Sequence, residues 1–156
     1  MEIVTVDKFL SSRDLDQIDR DSADANWRIQ RSDVHSKDFL KCELKDEFYT
    51  EYIFSKIKPH LDSDYKVSRV YFNGQWPGRD GSFHTDNCPR TALIYVRPYH
   101  PEWGGFTQIQ KSKMEFEIIM PFQNRLVIFP GDAQHKAYAF SGDELPMRVS
   151  LAYKLV

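Results

Sequence analysis

The spacing of apolar residues changes once along the chain. EIVTVDKFL, near the N-terminus, alternates briefly and predicts a strand. In SSRDLDQIDRDSA, Ser11 or Ser12 can cap a helix whose first turn is acidic. Residues 21–37 are polar and irregular. In LKDEFYTEYIFSKIKPHL, the positions Leu44, Phe48, Tyr52, Ile53, Ile57 and Leu61 mark the apolar face of an amphipathic helix, and Pro59 ends it or sits in its last turn.

After Asp62 the helical period disappears. YKVSRVYFN alternates, GQWPGRDG carries turn chemistry, and TALIYVRP, FTQIQ, FEIIMP, NRLVIFPGD and MRVSLAYKLV read as strands divided by turn signals. Helices in front and many short strands behind predict a mainly β fold with flanking helices. The expected architecture is a double-stranded β-helix, a cupin-like jelly roll, buttressed by the N-terminal helices. The 156 residues fit one domain, with 1–65 as the helical buttress and 66–156 as the jelly-roll core.

Composition narrows the function classes. The 11 Phe, 8 Tyr and 3 Trp suit strands. A formal net charge of -2 supplies no global basic field for nucleic acid. Cys42 and Cys88 form neither a CxxC pair nor a disulfide framework, which points to a reducing compartment. The apolar runs are too short to cross a bilayer, and MEIVTVDKFLSSRD lacks the basic start and apolar stretch of a signal peptide. The expected location is the cytoplasm, with no membrane partner.

Candidate chemistry begins at GSFHTDN. His84 and Asp86 flank one threonine after a glycine-containing turn, and His135 follows a later strand and a Pro-Gly turn. Two His and one carboxylate form the facial set that binds non-haem Fe(II) and leaves coordination positions open. Those positions can take an anionic bidentate cosubstrate and dioxygen. Such a cosubstrate carries a second carboxylate that needs a cation. Arg148 follows on MRVSLAYKLV, where Arg148, Ser150 and Ala152 share one strand face. A guanidinium fork on a small-residue face is a plausible carboxylate receptor, and the alternative is a surface ion pair.

HTD, EWGGFT, NRLVIFPGDAQH and RVSLAYKL together resemble the Fe(II)/2-oxoglutarate-dependent dioxygenases, most closely the prolyl-4-hydroxylase-like branch. The resemblance implies His84, Asp86 and His135 as iron ligands and Arg148 as partner of the distal carboxylate of 2-oxoglutarate. It adds Tyr95 to that salt bridge, and Tyr71 and Asn73, on the strand before HTD, as further cosubstrate contacts. Tyr95 and Tyr71 could equally be core aromatics. The implied activity is hydroxylation of a substrate C–H with release of succinate and CO2, using Fe(II), 2-oxoglutarate and O2, with ascorbate as a further cofactor. The implied substrate is a peptide or protein, with proline favoured over a nucleic-acid base or a small molecule. A non-catalytic jelly-roll binding module is the alternative of another class. Short stand-alone domains of this kind resemble those of some bacteria and tailed phages, as a monomer or weak dimer.

The pattern departs from the collagen-type enzymes, which place Lys where Arg148 stands. RVSLAYK also faintly echoes the terminal arginine motif of alkylated-base repair dioxygenases, with Lys154 in place of the last Arg. The loop from Gly74 to Ser82 is either a lid or a long hairpin loop, with Trp76 and Arg79 as its substrate-contact residues. His35, His60 and His100 lack ligand spacing and read as surface or loop residues. Cys88 reads as a semi-buried thiol near the site, and Trp103 as structural.

Overall fold

The structure is a computed structural model that describes residues 2–32 and 35–156, with only the backbone described for 31, 32 and 35–38. Strand β1 (Val4–Val6) leads into helix α1 (Ser12–Ala23). Ser11 caps the helix by accepting from the Asp14 amide at 3.2 Å, and Asp14, Ile18 and Ser22 form its buried stripe.

The expected second helix is irregular. A π-helical turn at Phe48–Ile53 runs into a short α2 (Phe54–Ile57) and then a 3-10 turn at Lys58–His60 that holds Pro59. Its buried face differs from the expected one. Tyr49, Ile53 and Ile57 face inward, four residues apart, while Tyr52 is 46% exposed. Tyr52 instead points its hydroxyl to the Asp14 carboxylate at 3.3 Å.

Polar residues expected to be irregular form part of a hairpin, β2 (Arg28–Ser32) with β3 (His35–Glu43). Its order comes from pairing along β4 (Val67–Gln75) rather than from an apolar pattern of its own. The side chain of His35 lies outside the described residues. The remaining strands are β5 (Arg90–Tyr95), β6 (Thr107–Gln110), β7 (Phe116–Ile119), β8 (Leu126–Pro130), β9 (His135–Ala137) and β10 (Arg148–Leu155). They form two antiparallel sheets, β1-β8-β5-β10-β4-β3-β2 and β7-β6-β9, in the jelly-roll arrangement. Strand β4 extends through Gln75, so Gly74 belongs to the sheet and the loop before His84 begins at Trp76.

The major sheet has two unlike faces because side chains alternate along each strand. On one face Val70, Phe72, Ala92, Ile94, Leu126, Ile128, Val149, Leu151 and Tyr153 pack on Ile18, Ile53 and Ile57. Fully burying one such large apolar side chain contributes about 1.5–3 kcal/mol. The other face, inside the roll, carries Leu93, Tyr95, Val127 and Phe129 against Ile109 and Ile119 of the minor sheet. The polar residues of β4 and β10 continue that second face. The helices therefore fix the sheet from behind, and the site forms in front.

Candidate metal and cosubstrate site

Backbone pairing brings two candidate ligands together. His84 and His135 are partners in an isolated antiparallel bridge, with amide-to-carbonyl distances of 3.0 and 2.9 Å. Their rings lie 4.3 Å apart between centroids. The Asp86 amide donates to Gly131 O at 2.6 Å, which holds the carboxylate beside them. His84 Nε2 is 3.8 Å from Asp86 Oδ1 and His135 Nε2 is 3.5 Å from Asp86 Oδ2. One potential ligand atom from each of the three residues falls within 4.8 Å of the others.

The surrounding contacts orient the donors. His84 Nδ1 lies 2.9 Å from Ser82 O, and His135 Nδ1 lies 2.9 Å from Ala133 O. A ring that donates from Nδ1 to a carbonyl carries its lone pair on Nε2, as a metal ligand requires. Burial pushes the His135 pKa down to about 4, despite the opposing pull of Asp86, so its ring is neutral at ordinary pH. Asp86 is held the other way. Burial raises its pKa, but Lys154, His135 and a 2.6 Å hydrogen bond from Thr91 together bring it below the usual carboxylate range. Lys154 pairs with the same Oδ2 that accepts from Thr91, leaving Oδ1 turned toward His84. The donor set of two imidazoles and one ionised carboxylate fits a divalent iron site.

Arg148 lies behind this cluster, only 2% exposed. Its Nε donates to Gly105 O at 2.7 Å, Nη1 to Gln75 Oε1 at 3.1 Å and Nη2 to Thr107 Oγ1 at 2.9 Å. Gly105 has a positive φ of 72°, and a Cβ there would collide with the Phe140 ring at 2.4 Å. Glycine thus lets that carbonyl reach the guanidinium. The Tyr95 hydroxyl donates to the same Thr107 oxygen at 2.8 Å, and its ring centroid is 5.3 Å from the guanidinium. Burial lowers the Arg148 pKa from its ordinary value, but a guanidinium remains charged. Among the described residues no carboxylate pairs with it. A buried cation held only by neutral acceptors is costly alone and is suited to an anionic ligand.

A cleft of about 720 Å³ opens in front of the triad, lined among others by Tyr71, Asn73, Gln75, His84, Asp86 and Lys154. Tyr71 and Asn73 therefore face the same space as His84 and Asp86. Asn73 Oδ1 is buried without a hydrogen-bond partner. Arg148 and Tyr95 do not line the cleft, and Gln75 stands between it and the guanidinium. Arg79 lies on the cleft lining, whereas Trp76, expected beside it as a contact residue, is 56% exposed and stands outside the lining. Cys88 borders the cleft, its thiol 3.2 Å from Arg90 O.

Several residues of the site carried no signal strong enough to single them out in the sequence. Thr91, Gln75 and Thr107 are ordinary strand residues until register places them. In the sequence Lys154 stands out only as a departure from an arginine motif, and its contact with Asp86 depends on the pairing of β10 with β5, where Lys154 opposes Thr91.

No protein-family model matches the chain, and no curated protein matches it. Solved structures do. A prolyl-4-hydroxylase from Pseudomonas putida superposes with a TM-score of 0.73 at 16% identity, covering 98% of this chain and 91% of that one. A prolyl hydroxylase from Trichoplax adhaerens, in complex with a peptide of the hypoxia-inducible-factor oxygen degradation domain, gives 0.75 at 14%, covering 98% and 82%. HygX from Streptomyces hygroscopicus, with nickel and 2-oxoglutarate bound, gives 0.68 at 10%, covering 98% and 82%. The chain thus has the fold of the 2-oxoglutarate/Fe(II) oxygenases, with a His-Asp-His cluster set in it.

Proposed function

We propose that the protein is an Fe(II)- and 2-oxoglutarate-dependent oxygenase that hydroxylates a peptidyl substrate, with proline as the favoured residue. The observation that carries the oxygenase reading is the pairing of the His84–Asp86–His135 cluster with Arg148, a buried cation that lacks a carboxylate partner among the described residues. Three oriented donors fit a metal, and the buried guanidinium fits the far carboxylate of a dicarboxylate cosubstrate. The peptide preference is supported by the peptide-bound and prolyl-hydroxylase neighbours and by an open cleft with an aromatic wall.

When bound, the iron centre with 2-oxoglutarate and dioxygen supplies the oxidising power for inserting oxygen into a C–H bond, with succinate and CO2 as coproducts. The protein's own residues do the rest. His84, Asp86 and His135 would hold the ion through Nε2, Oδ1 and Nε2. Lys154 and Thr91 keep Asp86 ionised and fixed in orientation. Arg148, steadied by Gln75, Thr107 and Gly105 O, would orient the cosubstrate, with Gln75 shifting to admit it. Leu93, Val127 and Phe129 keep water from the rear of the site.

The test is Fe(II)-dependent formation of succinate from 2-oxoglutarate, followed by mass spectrometry of proline-containing peptides. The expected result is succinate release and a gain of one oxygen on proline. Absence of succinate with reconstituted iron overturns the oxygenase reading. Succinate release stimulated by single-stranded DNA, with every peptide unmodified, overturns the peptidyl part alone.

A further inference from the structure

One line of residues crosses the major sheet in register, from Tyr95 through Ser150, Asn73 and Lys41 to Arg28. Residues directly opposite on neighbouring strands project to the same face. The line therefore starts at the proposed cosubstrate residues and ends on two cations. Lys41 lines the cleft, its Nζ 4.5 Å from the centroid of Tyr71 and 5.0 Å from that of Phe39. Nearby Arg69 is paired with Glu43, and Lys154 with Asp86. Lys41 and Arg28 have no carboxylate partner among the described residues. Like charges placed directly opposite destabilise a strand pair, and an anion seated beside them relieves the repulsion.

Asn73, the register partner of Lys41, has a buried Oδ1 with no donor. An ammonium with no ion-pair partner among the described residues thus stands in register with a carbonyl without a donor, and the two do not bond to each other. A ligand that satisfies both carries an anionic oxygen and an N–H close together. An acidic residue within a peptide has this pair, as its side-chain carboxylate and its backbone amide. A polyphosphate backbone offers the anion without the donor.

We propose that Lys41 is a specificity-determining residue that receives the carboxylate of an acidic residue in the peptide substrate, with Arg28 reinforcing the field and Asn73 accepting a peptide N–H. The inference rests on the peptidyl reading of the function. It places the acidic residue on the β3–β4 side of the cleft, with the reacting C–H turned toward the triad. Burial pushes the Lys41 pKa down to about 8, so the ammonium is still mostly protonated at neutral pH and is only partly solvated.

The experiment measures binding by fluorescence anisotropy, with the full chain loaded with Mn(II). The probes are labelled peptides with a central proline that place Glu, Gln or Lys at each flanking position in turn, together with a labelled oligothymidylate. Wild-type protein is expected to bind one Glu peptide roughly tenfold more tightly than its Gln counterpart, because a desolvated charge pair is worth more than an exposed one. Lys41→Met removes that preference, Lys41→Arg keeps it, and Lys41→Glu turns it toward the Lys peptide. Equal binding of Glu and Gln peptides at every position overturns the inference, as does a preference that survives Lys41→Met. Tighter binding of the oligothymidylate than of any peptide also overturns it, since the cations then read phosphate. Succinate formation by wild-type protein is assayed separately. Succinate without a Glu preference removes this inference and leaves the oxygenase reading in place, whereas a Lys41-dependent Glu preference without succinate overturns the oxygenase reading and leaves Lys41 as the receptor of a peptide carboxylate.

Discussion

His84 and His135 are backbone partners, each donating its amide to the other's carbonyl at 3.0 and 2.9 Å, so one isolated bridge sets two imidazoles side by side. Asp86 completes the group from two residues further along. The expected outcome of Asp86→Ala, or of His135→Ala, is loss of stoichiometric Fe(II) binding and of succinate formation with the β-rich circular dichroism spectrum retained. Metal analysis after anaerobic reconstitution checks this. Full iron occupancy in Asp86→Ala would show that the metal sits elsewhere.

Arg148 is expected to govern cosubstrate affinity. Removing one partner of a buried charge-assisted pair costs about 2–5 kcal/mol, so Arg148→Ala should raise the Michaelis constant for 2-oxoglutarate well over tenfold. Arg148→Lys keeps the charge but loses the fork that engages Gly105, Gln75 and Thr107 together, and an intermediate value is expected. A constant unchanged in both variants assigns the cosubstrate carboxylate to another residue.

Lys154 compensates the charge of Asp86 where no metal is present. Lys154→Met leaves that carboxylate, 9% exposed, without its cation. The metal-free variant should therefore melt earlier than wild type, and Mn(II) should restore a larger share of stability than it adds to wild type. Thermal melts with and without Mn(II) measure both effects. Identical metal-induced shifts in the two proteins contradict the role.

His135 predicts a pH dependence of the metal-free protein. Burial holds its folded-state pKa near 4, against an ordinary value of 6.5 in the unfolded chain. Between those values the unfolded state binds more protons, so this contribution to stability is complete above about pH 6.5 and is lost as pH falls toward 4. Urea midpoints across that range should decline in wild type and flatten in His135→Gln. Superimposable slopes rule out burial of a neutral His135.

Local pattern and tertiary pairing contributed differently to what could be read from the chain. Alternation in VYFN, LIYV and RVSLAY marked strands because one face of each packs on the helices and the other lines the roll. The order His84, Asp86, His135, Arg148 was visible because metal and carboxylate chemistry restrict the residue types. The β2–β3 hairpin was not visible, since Arg28–Glu43 lacks an apolar period and borrows its order from β4. Tyr52 looked like part of a helical face, but the wider π turn moves burial to Tyr49 and Ile53. The Pro-Gly context of Trp76 points to a loop contact, yet β4 continues as far as Gln75 and the indole stands off the cleft. Gln75 and Thr107 gain their meaning only from Arg148, which meets them across strands far apart in sequence.

The most direct test of the central claim is isothermal titration of 2-oxoglutarate into the protein under anaerobic conditions, with and without Fe(II). The triad and Arg148 together predict one binding event per chain that requires the metal, because the 2-oxo acid end needs the ion and the distal carboxylate needs the guanidinium. The same titration into Asp86→Ala should show no binding at matched concentrations. Equal affinity for 2-oxoglutarate with and without iron, or in Asp86→Ala and wild type alike, would contradict it.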